Sequence, residues 1–442
     1  MHKSLKMLAS VAVAGMAAAV PLTVLPAPVA AAAAPAPDSG IADFYRSRGG
    51  APLWLSPRSG NAAMDLVQVL ATAQVDGLNP RRYNLRNLGR AIQAARSGDP
   101  GAVQRAEVML SAAYVAYARD LEHDPGVGVV YVDQQLRPEP RSAQALLQQA
   151  ATARSLDDYV SNIGWMNPIY GRLRQALASR IYTNPREAQL LALNLKRART
   201  LPTGNGRYAI VNPAAQRLYM YENGQVVDQM RVVAGRPDPI AQTPMMSALI
   251  RFVVLNPYWN SPSDITARKL APKVLAGGRK YLNEKGYELM SDWSDHAHVL
   301  DPMSVNWHDV VAGRVQVRLR QKPGPANSMG KMKFMFPNQQ GIWLHDTPEK
   351  EKIEDAARLE SNGCVRLEDA ARFARWLFYG RPPSPRGAKA EQKVNLPDPV
   401  PLYITYLTAV PSGTSIVYFD DFYGRDRMRV AQNESRRGIF GL

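Results

Sequence analysis

The stretch of this sequence able to do chemistry is short: Gly341-Ile-Trp-Leu-His345-Asp-Thr-Pro348, then Ser361-Asn-Gly-Cys364-Val-Arg366-Leu. Cys364 is the single cysteine. It cannot staple its own chain, so it is filler, an intermolecular link or a nucleophile. A thiol attacks as thiolate, and an imidazole beside it both withdraws the proton and stabilises the anion. His345 ends an expected strand. Cys364 opens a segment leading to an expected helix, whose dipole would further favour a charged sulfur. Gly363 would let the backbone approach a substrate carbonyl without a Cβ clash, and amides around Gly363 and Cys364 are candidate oxyanion donors.

Ser361, Asn362, Arg366, Trp343 and Trp259 complete the candidate oxyanion and substrate-binding set. Arg366 reads equally as a clamp on the loop or as a contact for a substrate. Trp259 and Trp343 are of a type more often found in cores, although Trp343 lies two residues before His345 and so shares its strand face. The bland reading of Cys364 is a small buried hydrophobe; the upstream His and flanking Gly weigh against it. His296-Ala-His298, with Asp292, Asp295 and Asp301 nearby, has the look of a metal site but lacks the further ligand motif a zinc enzyme needs. The other histidines of the mature chain, His123, His308 and His345, lie in no such motif. No metal and no cofactor is expected.

The elements that must position these residues fall into an order. The 442 residues allow two or three domains, at roughly 100–200 residues each. Lys3 and Lys6 precede an apolar run, Met7 to Val20, and Ala-rich sequence to Ala34, the layout of a secretory signal over residues 1–34. That run is shorter than the ~20 apolar residues of a spanning helix, and nothing later is long and apolar enough. A Pro/Ala linker (35–40) follows, and the expected location is the periplasm. Residues 41–202 read as helical, with Ala63, Leu66, Val67 and Leu70, and later Leu110, Tyr114, Tyr117 and Leu121, at helical spacing. Beyond Pro202-Thr-Gly-Asn-Gly206 the texture becomes β-branched and aromatic. Strands are expected at Arg207–Asn212, Gln216–Glu222, Val226–Ala234, Ser247–Asn256, Val315–Arg320, Lys331–Phe336, Gly341–Asp346, Pro401–Ala409 and Ser415–Phe419. Asn223-Gly224 marks a tight hairpin, and Leu367 to Phe378 has a helical face. The fold class is therefore α+β: a helical N-terminal domain, then a mainly β domain over 205–425. Residues 257–325 form an insertion too long for a plain loop, read as a lid, and 426–442 a basic surface tail. The formal net charge of +16 fits a polyanionic partner; export argues against nucleic acid and for an acidic wall polymer.

His-Asp-Thr-Pro followed by Ser-x-Gly-Cys-Val-Arg resembles the signature of the L,D-transpeptidase (YkuD-type) catalytic domain. The resemblance extends over roughly 205–425, through Asn256-Pro-Tyr-Trp259, Pro323-Gly-Pro-Ala-Asn-Ser-Met-Gly330, Lys333-Phe-Met-Phe-Pro-Asn338 and Tyr403-Ile-Thr-Tyr-Leu-Thr408. It points to the large Gram-negative subfamily with a capping insertion, and Asp76-Gly-Leu78 and Asn167-Pro168 are similar to that subfamily's scaffold domain. The resemblance implies Cys364 as nucleophile and His345 as general base and acid, oriented by a backbone carbonyl, with Arg366 matching the Arg after the nucleophile. It further implies attack on the third residue of a peptidoglycan stem peptide, release of terminal D-Ala, and transfer to an amine. That amine would belong to another stem (3-3 crosslinks), a D-amino acid or an envelope protein such as one of the outer membrane. It also implies interception of the thiol by carbapenems and a part in wall biogenesis and cell shape. Asn362 stands where many members have His or Ser; its amide and its tolerance of left-handed backbone lead us to expect tuned activity. A separate wall-binding module is not evident. Three other readings stay open: a hydrolytic L,D-carboxypeptidase or endopeptidase of the same fold, a sortase-like enzyme, disfavoured by the 364 − 345 = 19 residue gap, and a non-catalytic wall-binding scaffold with an inert Cys364.

Overall fold

The structure is a computed structural model that describes residues 39–204 and 206–428. The expected signal, most of the linker and nearly all of the basic tail lie outside the described residues. Ser39 and Gly40, assigned to the linker, already belong to the first helix.

The N-terminal part is built from α1 (Ser39–Ser47), α2 (Ala62–Ala71), α3 (Leu85–Ala95), α4 (Pro100–Glu122), α5 (Ala143–Ala151), α6 (Leu156–Ser161), α7 (Pro168–Ala178) and α8 (Pro185–Ala198). Three of these begin at an Asp-Pro or Asn-Pro pair. Asp99, Asn167 and Asn184 each accept a backbone N–H of the first turn while the following proline occupies a position whose N–H would be orphaned anyway. Along α4 the expected Leu110, Tyr114, Tyr117 and Leu121 are all fully buried, and the Tyr114 and Trp165 rings meet edge to face at 5.0 Å.

The second part is a closed sheet. Its strands are β1 (Val130–Tyr131), β2 (Arg207–Asn212), β3 (Arg217–Glu222), β4 (Gln225–Gly235) and β5 (Met246–Leu255). Four of the strands β6 (Trp259–Ser261), β7 (Tyr287–Met290), β8 (Val299–Leu300) and β9 (Arg318–Gln321) belong to a separate small sheet, before β10 (Met332–Met335), β11 (Leu344–His345), β12 (Leu359–Ser361), β13 (Val365–Leu367) and β14 (Gln392–Ile404) return to the main one. Pairing runs β5-β10-β11-β13-β4-β3-β2-β14 and β14 also pairs β5, so the ring closes. Between β3 and β4, Asn223 and Gly224 both take positive φ (52° and 75°), the backbone a two-residue hairpin demands. Along β2, Ala209 and Val211 face the interior of the ring while Tyr208 and Ile210 join the helical core. The alternation of the pleat thus gives one strand to two cores, and the helical part packs directly on the outer face of the sheet.

Some expectations need correction. β14 begins at Gln392, nine residues before the expected start at Pro401. Pro397, Pro399 and Pro401 mask it, because proline cannot donate to a ladder, and the strand accommodates them with a register shift between Asn395 and Val400. The expected helix from Leu367 is the end of β13 instead; α12 starts later, over Ala370–Leu377. Asp426, placed in a surface tail, is buried and paired to Arg197 of α8 at 2.5 Å, and it accepts the hydroxyl hydrogen of Thr408.

Residues 257–325 carry the small sheet, ordered β6-β9-β7-β8. The one-turn α9 (Ser263–Ile265), a π-helical turn at Thr266–Leu270, α10 (Ala271–Lys285) and α11 (Trp307–Val311) cover it. This subdomain has its own core around Leu282, Leu289, Trp307 and Leu319. Asn327 fastens its neck. Its amide nitrogen donates to the carbonyls of Pro257 and Lys322, both at 2.9 Å, so the two ends of the insertion are held together.

Candidate active site

β11 and β13 run parallel with Leu344 opposite Val365 and His345 opposite Arg366. Leu344 and Val365 point into the interior of the ring. The residues between them therefore face the other way, and Trp343, His345, Cys364 and Arg366 share one face. That face forms one wall of a cavity of about 940 Å³ roofed by the capping subdomain. Trp343, Trp259, His345, Ser361, Asn362, Cys364 and Arg366 all line it; Gly363, alone of the expected set, does not.

His345 is almost wholly buried, and its Nδ1 lies 2.5 Å from the carbonyl oxygen of Asp346. A carbonyl only accepts, so Nδ1 carries the hydrogen and Nε2 keeps a free lone pair. Asp346 is itself held: its carboxylate takes the Lys331 N–H at 2.9 Å and the Lys350 ammonium at 2.8 Å. Burial, aided by the Arg366 guanidinium, pulls the His345 pKa down to about 4. The imidazole is neutral at neutral pH.

Cys364 is partly open to the cavity but crowded by protein on its other sides, and this desolvation pushes its thiol up. The Trp343 N–H and the charge of Arg366 oppose the shift without cancelling it. The expectation of a thiolate held beside an imidazole is thus corrected: the resting pair is a neutral thiol and a neutral imidazole. The helix dipole gives no help, because β13 intervenes and α12 begins six residues after the cysteine, beyond the first turn where the effect acts. Sγ donates to the Gly341 carbonyl at 3.6 Å and not to the imidazole.

The loop before the cysteine alternates. Ser361, Gly363, Val365 and Leu367 are buried while Asn362, Cys364 and Arg366 are partly exposed. Gly363 thus faces away from the cavity. Its φ of +109° requires glycine, and a Cβ there would lie 2.9 Å from Ile342 Cδ1. Its N–H donates to Ser361 Oγ at 3.1 Å and its carbonyl accepts from Thr243 Oγ1 at 2.9 Å. Its N–H and carbonyl are thus both engaged within the protein, on the side away from the cavity. Ser361 Oγ also donates to the Cys364 carbonyl at 2.5 Å, which makes it a clamp. The Cys364 N–H has no protein acceptor among the described residues. Asn362 does not use left-handed backbone; its side-chain oxygen accepts from Arg236 at 2.6 Å. Arg366 is paired with Glu349 at 2.5 Å.

Sequence reasoning gave no role to Gly341, Thr243, Arg236 and Asp346. Gly341 and Asp346 lie in the same stretch as the histidine; Thr243 and Arg236 reach the site from a turn more than a hundred residues earlier in the chain. Asp292 and Asp301 are engaged with Ser294 and Arg279, and no group of three metal-ligating side chains occurs among the described residues.

A ring of strands roofed by an inserted subdomain, with a histidine on one strand and a lone cysteine just before the parallel strand beside it, defines the class. Residues 206–387 match the family described as L,D-transpeptidase catalytic domain, and residues 39–177 match the Scaffold domain. The chain thus carries a YkuD L,D-transpeptidase catalytic domain with a scaffold domain ahead of it. A Haemophilus influenzae (strain ATCC 51907 / DSM 11121 / KW20 / Rd) protein named "Putative L,D-transpeptidase" is 28% identical over 401 residues, covering 88% of this chain and 78% of its own length.

Proposed function

We propose that this protein is a cysteine-dependent acyltransferase acting on peptidoglycan stem peptides, with Cys364 as nucleophile and His345 as base and acid. One observation carries the reading: the only thiol and a buried imidazole with a free Nε2 share one strand face and one cavity. Because both groups rest neutral, the thiol must turn from the Gly341 carbonyl to His345 and lose its proton as it attacks. Sγ then bonds to the acyl carbon of the third stem residue while the Cys364 N–H receives the developing oxyanion. Collapse breaks the C–N bond, and the proton held at Nε2 leaves with the amine of the terminal D-Ala. An acceptor amine attacks the thioester, gives its proton to Nε2, and displaces the sulfur, which recovers that proton. Arg366 stabilises the transient thiolate and keeps the imidazole unprotonated between steps. The acceptor is a stem amine, a D-amino acid or the amine of an envelope protein. The Lys3/Lys6 and Met7–Val20 pattern supports export, and the periplasm is the proposed place of action.

Incubation with meropenem followed by mass spectrometry tests the nucleophile. A covalent adduct is expected on the native protein and absent from Cys364→Ala; no adduct on the native protein would leave a non-catalytic scaffold. With disaccharide-tetrapeptide as substrate, crosslinked dimers establish transfer, whereas trimmed monomers alone would identify a hydrolase.

A further inference from the structure

The roof of the cavity is charged in a way the chemistry at Cys364 does not use. Lys269, in the π-helical turn, and Lys273, on α10, both line the cavity from the capping side. Neither makes an ion pair or side-chain hydrogen bond among the described residues. Arg236 lies outside the cavity lining but close to Lys269, and among the described residues its side chain bonds only the neutral Asn362 oxygen. Of the other cations lining the cavity, Arg268 is matched by Asp264 and Arg366 by Glu349. Burial first, and then the charges of Arg236, Arg366, Arg268 and Lys273, lower the Lys269 pKa. Two lysines without a charge partner among the described residues thus overhang one cavity, with the Arg236 charge near enough to repel Lys269, an arrangement that an anion would relieve.

We infer that Lys269 and Lys273 form a carboxylate-binding subsite for the acyl donor, so that the capping subdomain selects donors by charge. This rests on the proposed reaction, whose donor carries one carboxylate on the departing residue and others along the stem. Either source has the same chemistry. A lysine ammonium presents rotatable donors on a flexible stem, suited to a carboxylate that must be released with each turnover.

The test uses the full chain with Lys269→Met and Lys273→Met combined, both residues being exposed to the cavity rather than packed in the core. Three ligands are compared: a tetrapeptide stem, its C-terminal carboxamide, and a stem amidated on its side-chain carboxylates. The double variant should raise KM for the free stem roughly tenfold, the scale of a lost charge-assisted contact. Native and variant proteins should be equal on whichever amide removes the recognised carboxylate, which identifies the source. Lys269→Arg with Lys273→Arg should restore the preference. Equal KM of native and variant proteins for the free stem, or equal discrimination against both amides by the two proteins, would overturn the subsite. Calorimetric binding to Cys364→Ala chains with and without the lysine changes separates the two ideas. Charge-dependent binding without turnover by the native enzyme would sink the proposed reaction and leave the subsite, whereas turnover without charge dependence would do the reverse.

Discussion

The helical part and the cavity both bury ionisable groups, and they treat them in opposite ways. In the helical core Asp76 receives the hydroxyls of Tyr117 and Tyr170 at 2.7 and 2.5 Å and the Arg174 guanidinium at 3.0 Å. Arg174 spends its remaining donors on the Val69 carbonyl and Thr72. Glu107 likewise takes the backbone N–H groups of Leu53, Trp54 and Leu55 and the Tyr45 hydroxyl. Each buried charge is answered, as burial in a low-dielectric interior requires. At the cavity the matching among the described residues is incomplete: His345 Nε2 and the Cys364 N–H have no partner, the sulfur has one weak contact, and Lys269 has no ion-pair partner. A group satisfied by its neighbours holds a fold; a group left short is available to a substrate.

That contrast predicts where substitutions act. Cys364→Ala should abolish thioester formation altogether, read as the loss of any meropenem adduct, with an unchanged circular dichroism spectrum. His345→Ala should slow acylation by roughly 10²–10⁴-fold; full-rate acylation by this variant would show that the imidazole is a bystander. Arg174→Met should do the opposite, losing about 3–5 kcal/mol of stability in urea unfolding because it strands Asp76, while acylation by the remaining folded protein keeps its rate. An Arg174 variant that slowed chemistry but not unfolding would erase the distinction.

Smaller effects follow from charge. The His345 pKa is lowered from 6.5 to about 4, so the unfolded chain binds this proton before the folded one does. Its contribution to stability therefore falls as pH drops from 6.5 to about 4 and changes little below. The acid limb of acylation should accordingly lie near pH 4 in stopped-flow measurements. Arg366→Gln removes a cation that disfavours the imidazolium, and should move that limb upward towards 6.5; an unmoved limb would exclude Arg366 as a cause. Ser361→Ala, which frees the Gly363 N–H and the Cys364 carbonyl, should cost about 1 kcal/mol in thermal or urea unfolding and a few-fold in acylation rate.

Much of this was legible in the residues themselves. The helical spacing of α4, the Asn223-Gly224 turn and the Cys364/His345 pair are local patterns, each fixed by backbone periodicity or by side-chain chemistry. Even the direction of Gly363 was within reach, because a period of two along Ser361-Asn-Gly-Cys-Val-Arg places it opposite Cys364. The first half of β14 was hidden because three prolines outweigh β-propensity locally, while pairing to β5 on one edge outweighs the prolines in the folded chain.

By itself the sequence determined the candidates for chemistry, one sulfur and an imidazole nineteen residues before it, together with the α+β order of the elements that carry them. Only the tertiary structure decided their protonation, since pKa values answer to burial and to charges brought in from afar, here Arg366 across a strand pair. It also decided that Asp426 is an anchor rather than part of a tail, and that lysines nearly a hundred residues before the cysteine overhang it. Such facts depend on which surfaces meet, and no stretch of chain carries that information alone.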